Sequence, residues 1–297
     1  METNKQEFIH RLSDTARAEG CTAVAENLNV YRHDKPNLPT HGLFTASICV
    51  VAQGAKEMQL GGEKFRYDRN NFILASLDMP IIGQIVEATP DKPFLCLKLE
   101  FDPTVIASVC VEAGIPPVRD ETSVKSVAVG KLSDEILDAF VRLTRLFNDK
   151  AAYKMISPLV TREIIYRLLK SDQGPRMRQL GNFGGQTHRI TKAVQNLQTN
   201  FREPLSIEKL AGELGMSVSS FHQHFKTTTS MSPIQFQKLL RLQEAKRLLV
   251  TENLDAGTAA LKVGYEDASQ FSREYKRLYG APPSRDVGRL KQVAQAK

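Results

Sequence analysis

The chain has 297 residues, 41% of them hydrophobic and 25% charged, a soluble globular composition long enough for two domains with ordinary cores. No apolar stretch approaches the roughly 20 residues needed to cross a bilayer. The amino-terminal stretch is charged and has no signal-peptide core, and Cys21, Cys49, Cys96 and Cys110 form no C-x-x-C or zinc spacing, so a cytoplasmic protein with free thiols is expected.

The net charge is +7, and its position matters more than its size. Residues 182–297 hold 17 Lys and Arg against 10 Asp and Glu, whereas residues 1–181 hold 23 of each sign. The whole positive excess therefore lies on one segment, as expected of a polyanion-binding module.

In chain order, residues near 5 to 19 read as a short helix closed by Gly20. From Leu43 the texture turns to β: 43–52, then 56–60, a Gly61-Gly62 turn, 64–68, a turn at 69–71, then 72–77, 83–89 and 93–101. Short strands with turn residues every 8 to 12 positions indicate a β-barrel or sandwich, spanning about 30–115. Asp102-Pro103 reads as an N-cap with proline at the first helical position. Two longer helices follow within about 132–171. Ser133 caps the first, with Ile136, Phe140, Leu143 and Phe147 on one face, and Ser157-Pro158 opens the second, with Val160, Ile164 and Leu168 in line. They are expected to cover the barrel and to offer a dimer seam.

Gly174-Pro175 and the run from Gly181 to Gln186 read as the domain junction, because glycine-rich polar chain buries little and loses much entropy on ordering. This divides the chain into a regulatory domain, 1–181, and an all-helical domain, 182–297. The fold class expected is α+β multidomain.

The second domain contains one pattern twice. With Gly215 placed over Gly264, Leu210 and Ala211 fall over Ala259 and Ala260, and Leu214 over Val263. After one extra residue in the second turn, Phe221 falls over Phe271, Phe225 over Tyr275, Lys226 over Lys276 and Pro233 over Pro283. Each copy reads as a helix-turn-helix, with a small alanine where two helices cross and a glycine at the turn. Ile190, Val194, Leu197 and Phe201 mark a helix before the first copy, and Ser206 caps the next helix. Phe236, Leu239, Leu242, Ala245 and Leu249 mark a long connecting helix opened by Ser232-Pro233. If Phe221 and Phe225 face the core, Ser219, Ser220, His222, Gln223 and Lys226 face outward. In the second copy Ser269, Gln270, Arg273, Lys276 and Arg277 do the same. Arg pairs bidentately with guanine and Gln with adenine, so Arg273, Gln270 and Gln223 are the candidate base readers. Lys226, Lys276 and Arg277 are the candidate phosphate contacts. Two reading helices one DNA turn apart, about 34 Å, would let one chain read adjacent major grooves.

The stretch 189–286 resembles the DNA-binding domain of AraC/XylS-type transcription regulators. The resemblance is carried by Ala211-x-x-x-Gly215, the linker helix, and the run G-Y-x-D-x-S-x-F-x-R-x-Y-K-x-x-x-G-x-x-P-S from Gly264 to Ser284. It implies promoter binding through the two outward faces, RNA polymerase as a partner, activation rather than repression, and a homodimer. Arg285-Asp286 stand where the family has an aromatic residue and Arg, which is expected to loosen the end of the domain. The stretches 41–68 and 74–85 resemble, more loosely, the N-terminal domain of such regulators. That resemblance implies a cupin-like barrel that binds a small effector or dimerises.

Metal-dependent cupins converge several His and carboxylate ligands on one ion. In the barrel region only His33 and His41 are available, and His222-x-His224 lies on a recognition helix, so no metal, cofactor or catalytic group is expected. An enzyme with a DNA-binding tail would need a catalytic cluster within 30–130, and an architectural DNA binder would need no barrel. Cys96 shares a strand face with Lys98 and Glu100, opposite Leu95, Leu97, Leu99 and Phe101. Lys98 would favour the reactive thiolate, so electrophile or oxidant sensing at Cys96 is one reading. A small half-buried hydrophobe is the other.

Overall fold

The computed structural model describes residues 2–116, 124–181 and 185–288. Residues 182–184 of the expected linker lie outside them. The chain divides into two compact units, one formed by Met1–Ile190 with Thr227–Ser230, the other by Thr191–Lys226 with Met231–Lys297.

The first unit opens with helix α1 (Glu2–Thr15), buried through Phe8 and Leu12. Nine strands follow: β1 (Gly20–Ala25), β2 (Leu28–His33), β3 (Thr40–Phe44), β4 (Ser47–Gln53), β5 (Ala55–Leu60), β6 (Glu63–Asp68), β7 (Asn71–Ala75), β8 (Met79–Glu87) and β9 (Phe94–Glu100). Helix α2 (Pro103–Glu112), strand β10 (Val127–Lys131) and helices α3 (Asp134–Thr144), α4 (Lys150–Lys170) and α5 (Gly174–Gly181) complete it. The strands form two antiparallel sheets, ordered β1-β2-β9-β4-β7-β10 and β3-β8-β5-β6. An antiparallel, sheet-rich N-terminal part followed by a helical part is the expected fold class.

One face of the six-stranded sheet packs on the helices. Leu28 and Val30, Ile48 and Val50, Phe72 and Leu74, and Leu95, Leu97 and Leu99 share one core with Phe8 and Leu12 of α1, Ile106 of α2, Phe140 of α3 and Ile164 of α4. Period-two alternation thus sends the leucines of β9 outward to the helices and Cys96 and Lys98 to the space between the sheets. Burying a large apolar side chain in such a core contributes about 2 kcal/mol.

Several local expectations change. The 43–52 run is two strands in different sheets, broken at Thr45-Ala46, where the Ala46 amide donates to Asp78 Oδ1 at 2.8 Å. Strands β1, β2 and β10 were not expected, and β3 begins three residues ahead of the expected run. Ser157-Pro158 does not open a helix. Asp149 caps α4 eight residues earlier by accepting from the Ala152 amide at 2.9 Å, and Pro158 sits inside the helix with its ring exposed. Gly174-Pro175 likewise opens α5 rather than a linker. Arg176 of α5 is buried and donates to the Lys125 carbonyl at 2.6 Å, so this turn is tied down by hydrogen bonds. Asp102 caps α2 as expected, accepting from the Thr104 amide at 2.8 Å.

Candidate nucleic-acid interface and barrel cavity

Helix α6 (Gly185–Thr199), whose residues from Thr191 on belong to the second unit, begins ahead of its expected apolar stripe and buries Ile190, Val194 and Leu197. Helices α7 (Ile207–Glu213) and α8 (Val218–Thr229) form the first helix-turn-helix, and α10 (Ala256–Lys262) and α11 (Ala268–Tyr279) the second, with α9 (Pro233–Thr251) between them.

The two turns repeat bond for bond. The Met216 amide donates to the Ala211 carbonyl at 2.9 Å, and the Tyr265 amide to Ala260 at 3.0 Å. The Gly215 amide donates to Gly212 at 3.0 Å, and the Gly264 amide to Leu261 at 3.1 Å. Gly215 and Gly264 adopt φ of +62° and +90°, a region that side chains with a Cβ avoid. Ala211 and Ala260 are buried at the crossings. Caps are of one kind throughout: Ser206 Oγ accepts from the Lys209 amide at 3.2 Å, Ser217 Oγ from Ser220 at 3.2 Å, and Asp267 Oδ1 from Ser269 at 2.7 Å.

Aromatic packing sets the roll of each reading helix. Phe221, Phe225, Phe271 and Tyr275 are fully buried. Phe225 meets Phe236 of α9 edge-on, with centroids 5.6 Å apart, and Phe271 meets Tyr265 at 5.3 Å. With those positions inward, Ser219, Gln223 and Lys226 are exposed on α8 while Ser220 and His222 are half-buried. On α11, Ser269, Gln270, Arg273, Lys276 and Arg277 are all exposed.

Three features that hold these helices were missed in the sequence. Arg241, on α9, donates from Nε to the Phe201 carbonyl at 2.6 Å, from Nη2 to Arg202 and Glu203 at 3.0 and 2.9 Å, and from Nη1 to Gly264 at 2.8 Å. One guanidinium thus joins the loop before α7 to the turn of the second helix-turn-helix. Glu274, on α11, accepts from Lys238 at 2.7 Å, the Tyr265 hydroxyl at 2.7 Å and Gln270 Nε2 at 3.3 Å. Burial alone would raise its pKa, but these donors, Lys238 foremost, hold the carboxyl below the usual range. Asp286 is the third. It is fully buried, accepts from the Tyr275 hydroxyl at 3.0 Å and pairs with Lys246 at 2.9 Å. The expectation that Arg285-Asp286 loosen the end of the domain is therefore corrected: Asp286 anchors it.

The first unit holds a cavity of about 220 Å³ between its sheets. Exposed Thr40 and Leu43 stand at one end of its lining, and buried Tyr67, Cys49 and Cys96 at the other. His33 and His41 also line it, with His33 Nδ1 3.8 Å from Glu19 Oε1. Among the described residues no three His, Cys, Asp or Glu side chains are grouped to hold a metal ion, and no helix is long and apolar enough to cross a membrane. Lys98 Nζ is engaged by Glu100 at 2.7 Å and Thr45 at 2.6 Å. The Cys96 thiol donates to the Leu97 carbonyl at 3.7 Å, and the neighbouring Cys49 together with burial pushes it well up. At Cys49 burial opposes ionisation, but the neighbouring Cys96 and the ammoniums of Lys56 and Lys98 outweigh it, so its thiol is shifted down.

Residues 25–176 match the family described as the AraC-type transcriptional regulator N-terminus, and residues 210–287 match a helix-turn-helix domain. The raffinose operon transcriptional regulatory protein RafR of Pediococcus pentosaceus is 38% identical over 98 residues, 33% of this chain and 35% of that protein. The thermoregulatory protein LcrF of Yersinia pestis is 24% identical over 181 residues, 59% of this chain and 64% of that protein. The alignments thus span about a third and just under two thirds of the lengths of these relatives. Among solved structures, ToxT from Vibrio cholerae shares the fold, with a TM-score of 0.54 at 11% identity over 88% of this chain and 97% of that one.

Proposed function

This chain belongs to the AraC-type transcriptional regulators, and from that premise we propose that it is a sequence-specific DNA-binding regulator acting as an activator. Its partners in this reading are double-stranded promoter DNA in the cytoplasm, RNA polymerase, and a second copy of the chain. Residues 182–297 supply the DNA contacts and residues 1–181 the regulation.

The observation that carries the reading is the bond-for-bond repetition of the two turns, each fixing an exposed polar helix face. On those faces Gln223, Gln270 and Arg273 reach base edges, with Ser219, Ser220, His222 and Ser269 alongside, and Lys226, Lys276 and Arg277 hold phosphates. Selection of bound sequences from a random duplex library by the full chain tests it. A recovered motif with two half-sites supports the reading, and equal affinity for all sequences, as an architectural binder would show, sinks it.

The cavity between the sheets is the proposed effector site, and α4 is the proposed dimer seam because Met155, Leu159 and Tyr166 are exposed along it. Electrophile or oxidant sensing belongs in this reading to Cys96 beside Lys98, with Cys49 lining the same cavity. Reporter response in Cys49→Ser and Cys96→Ser checks it; both variants responding as the parent does would end the idea.

A further inference from the structure

The second reading helix carries a half-buried acid, Glu274, which is unfavourable near DNA unless the acid has another task. Glu274 is four residues after Gln270, one helical turn further along the same face. Its carboxylate is already bound: Oε1 accepts from Lys238 at 2.7 Å and Oε2 from the Tyr265 hydroxyl at 2.7 Å. The acid is therefore fixed and largely neutralised, with its side chain only 18% exposed. Gln270 reaches it with Nε2 at 3.3 Å.

A free glutamine is an ambiguous reader. Its amide turns over at little cost, so it can offer a carbonyl and an N–H, or two N–H groups, to whatever base edge it meets. A carboxylate removes that freedom, because it only accepts and so keeps the NH2 end of Gln270 on its own side. One N–H is used by Glu274. The other N–H and the carbonyl oxygen then remain, the donor-and-acceptor pair that adenine N7 and N6 require. Guanine, with two acceptors in the major groove, would need the orientation that Glu274 forbids. Gln270 is also the third residue of α11, and base edges are met by the first residues of a reading helix.

We propose that Glu274 is a positioning residue that holds the Gln270 amide in one orientation and thereby makes Gln270 a reader of adenine. The proposal rests on the DNA-binding reading above and adds a source of specificity to it. The Lys238 and Tyr265 contacts hold Glu274 from behind, so no contact between Glu274 and DNA is required.

The test uses the full chain and a duplex selected by the parent protein, with each base pair of the half-site read by α11 replaced in turn. Affinity is measured for the parent, Gln270→Ala, Glu274→Gln and the double variant. Glu274→Gln keeps the shape but can turn its own amide and no longer fixes Gln270. Discrimination for adenine at one position should fall roughly threefold to tenfold in Glu274→Gln, part of what one bidentate pair supplies. It should not fall further in the double variant than in Gln270→Ala. Unchanged discrimination in Glu274→Gln, or the same loss with and without Gln270, overturns the proposal. If the parent recovers no preferred sequence, the DNA-binding reading has failed instead. Thermal unfolding of each variant separates a folding defect from a change in readout.

Discussion

At the residue scale, Asp286 gives the sharpest stability prediction. Removing one partner of a buried, hydrogen-bonded charge leaves the other stranded, at a cost of about 3 kcal/mol. Asp286→Ala should therefore destabilise the full chain by that order, strip Lys246 and the Tyr275 hydroxyl of a partner, and show it in denaturant unfolding. A change under about 0.5 kcal/mol, the usual surface range, would mean the anchor is immaterial. Glu7 gives the pH counterpart. Arg145 and then Arg11 donate to its carboxylate and draw its pKa down to about 2. A group whose folded pKa is depressed stabilises above its unfolded pKa, and that contribution disappears as pH falls through the folded value. Between about pH 5 and 2, Glu7→Gln should lose stability less steeply than the parent, and parallel curves would refute the assignment.

At the scale of elements, the two turn glycines separate two physical costs. A Cβ at Gly215 meets nothing within 4 Å, so Gly215→Ala bears only the strain of φ +62°, about 1 kcal/mol. A Cβ at Gly264 would sit 2.0 Å from the Arg202 carbonyl oxygen, a backbone atom that Arg241 also holds. Gly264→Ala should cost about 3 kcal/mol or more and disturb both helix-turn-helix units, and calorimetry of the two variants would show whether they differ.

The contrast also marks what the sequence could and could not reveal. Both glycines, the alanines behind them and the buried aromatics were legible, because spacing along one helix encodes its inward face. The contacts of Arg241 were not, because its partners are backbone carbonyls that any residue would supply. Strands β1 and β2 escaped for a similar reason. They are short, β1 is only partly buried, and the alternation of 20–33 is too mixed to rise above the surrounding loops. Pro158 misled because a proline after serine marks a helix start by default, and here the Asp149 cap and the exposed position of the ring override it.

At the scale of the whole molecule, the question is whether both reading faces engage DNA at once. Salt answers it, because each phosphate neutralised releases counterions and adds about −0.9 to the slope of log affinity against log salt. Lys226 lies on the first face and Lys276 on the second, at equivalent places in the repeat. If one chain grips two successive segments, Lys226→Ala and Lys276→Ala should each make the slope shallower by about 1, and the double variant by about 2. Each should weaken selected and unrelated sequences alike, since phosphate contacts carry no sequence information. Arg273→Ala should instead lower affinity for the selected site alone. A slope that responds to Lys276 but not to Lys226 would mean that only the second helix-turn-helix binds. The repeat would then be a structural duplication, with the first helix-turn-helix serving to brace the second through Arg241.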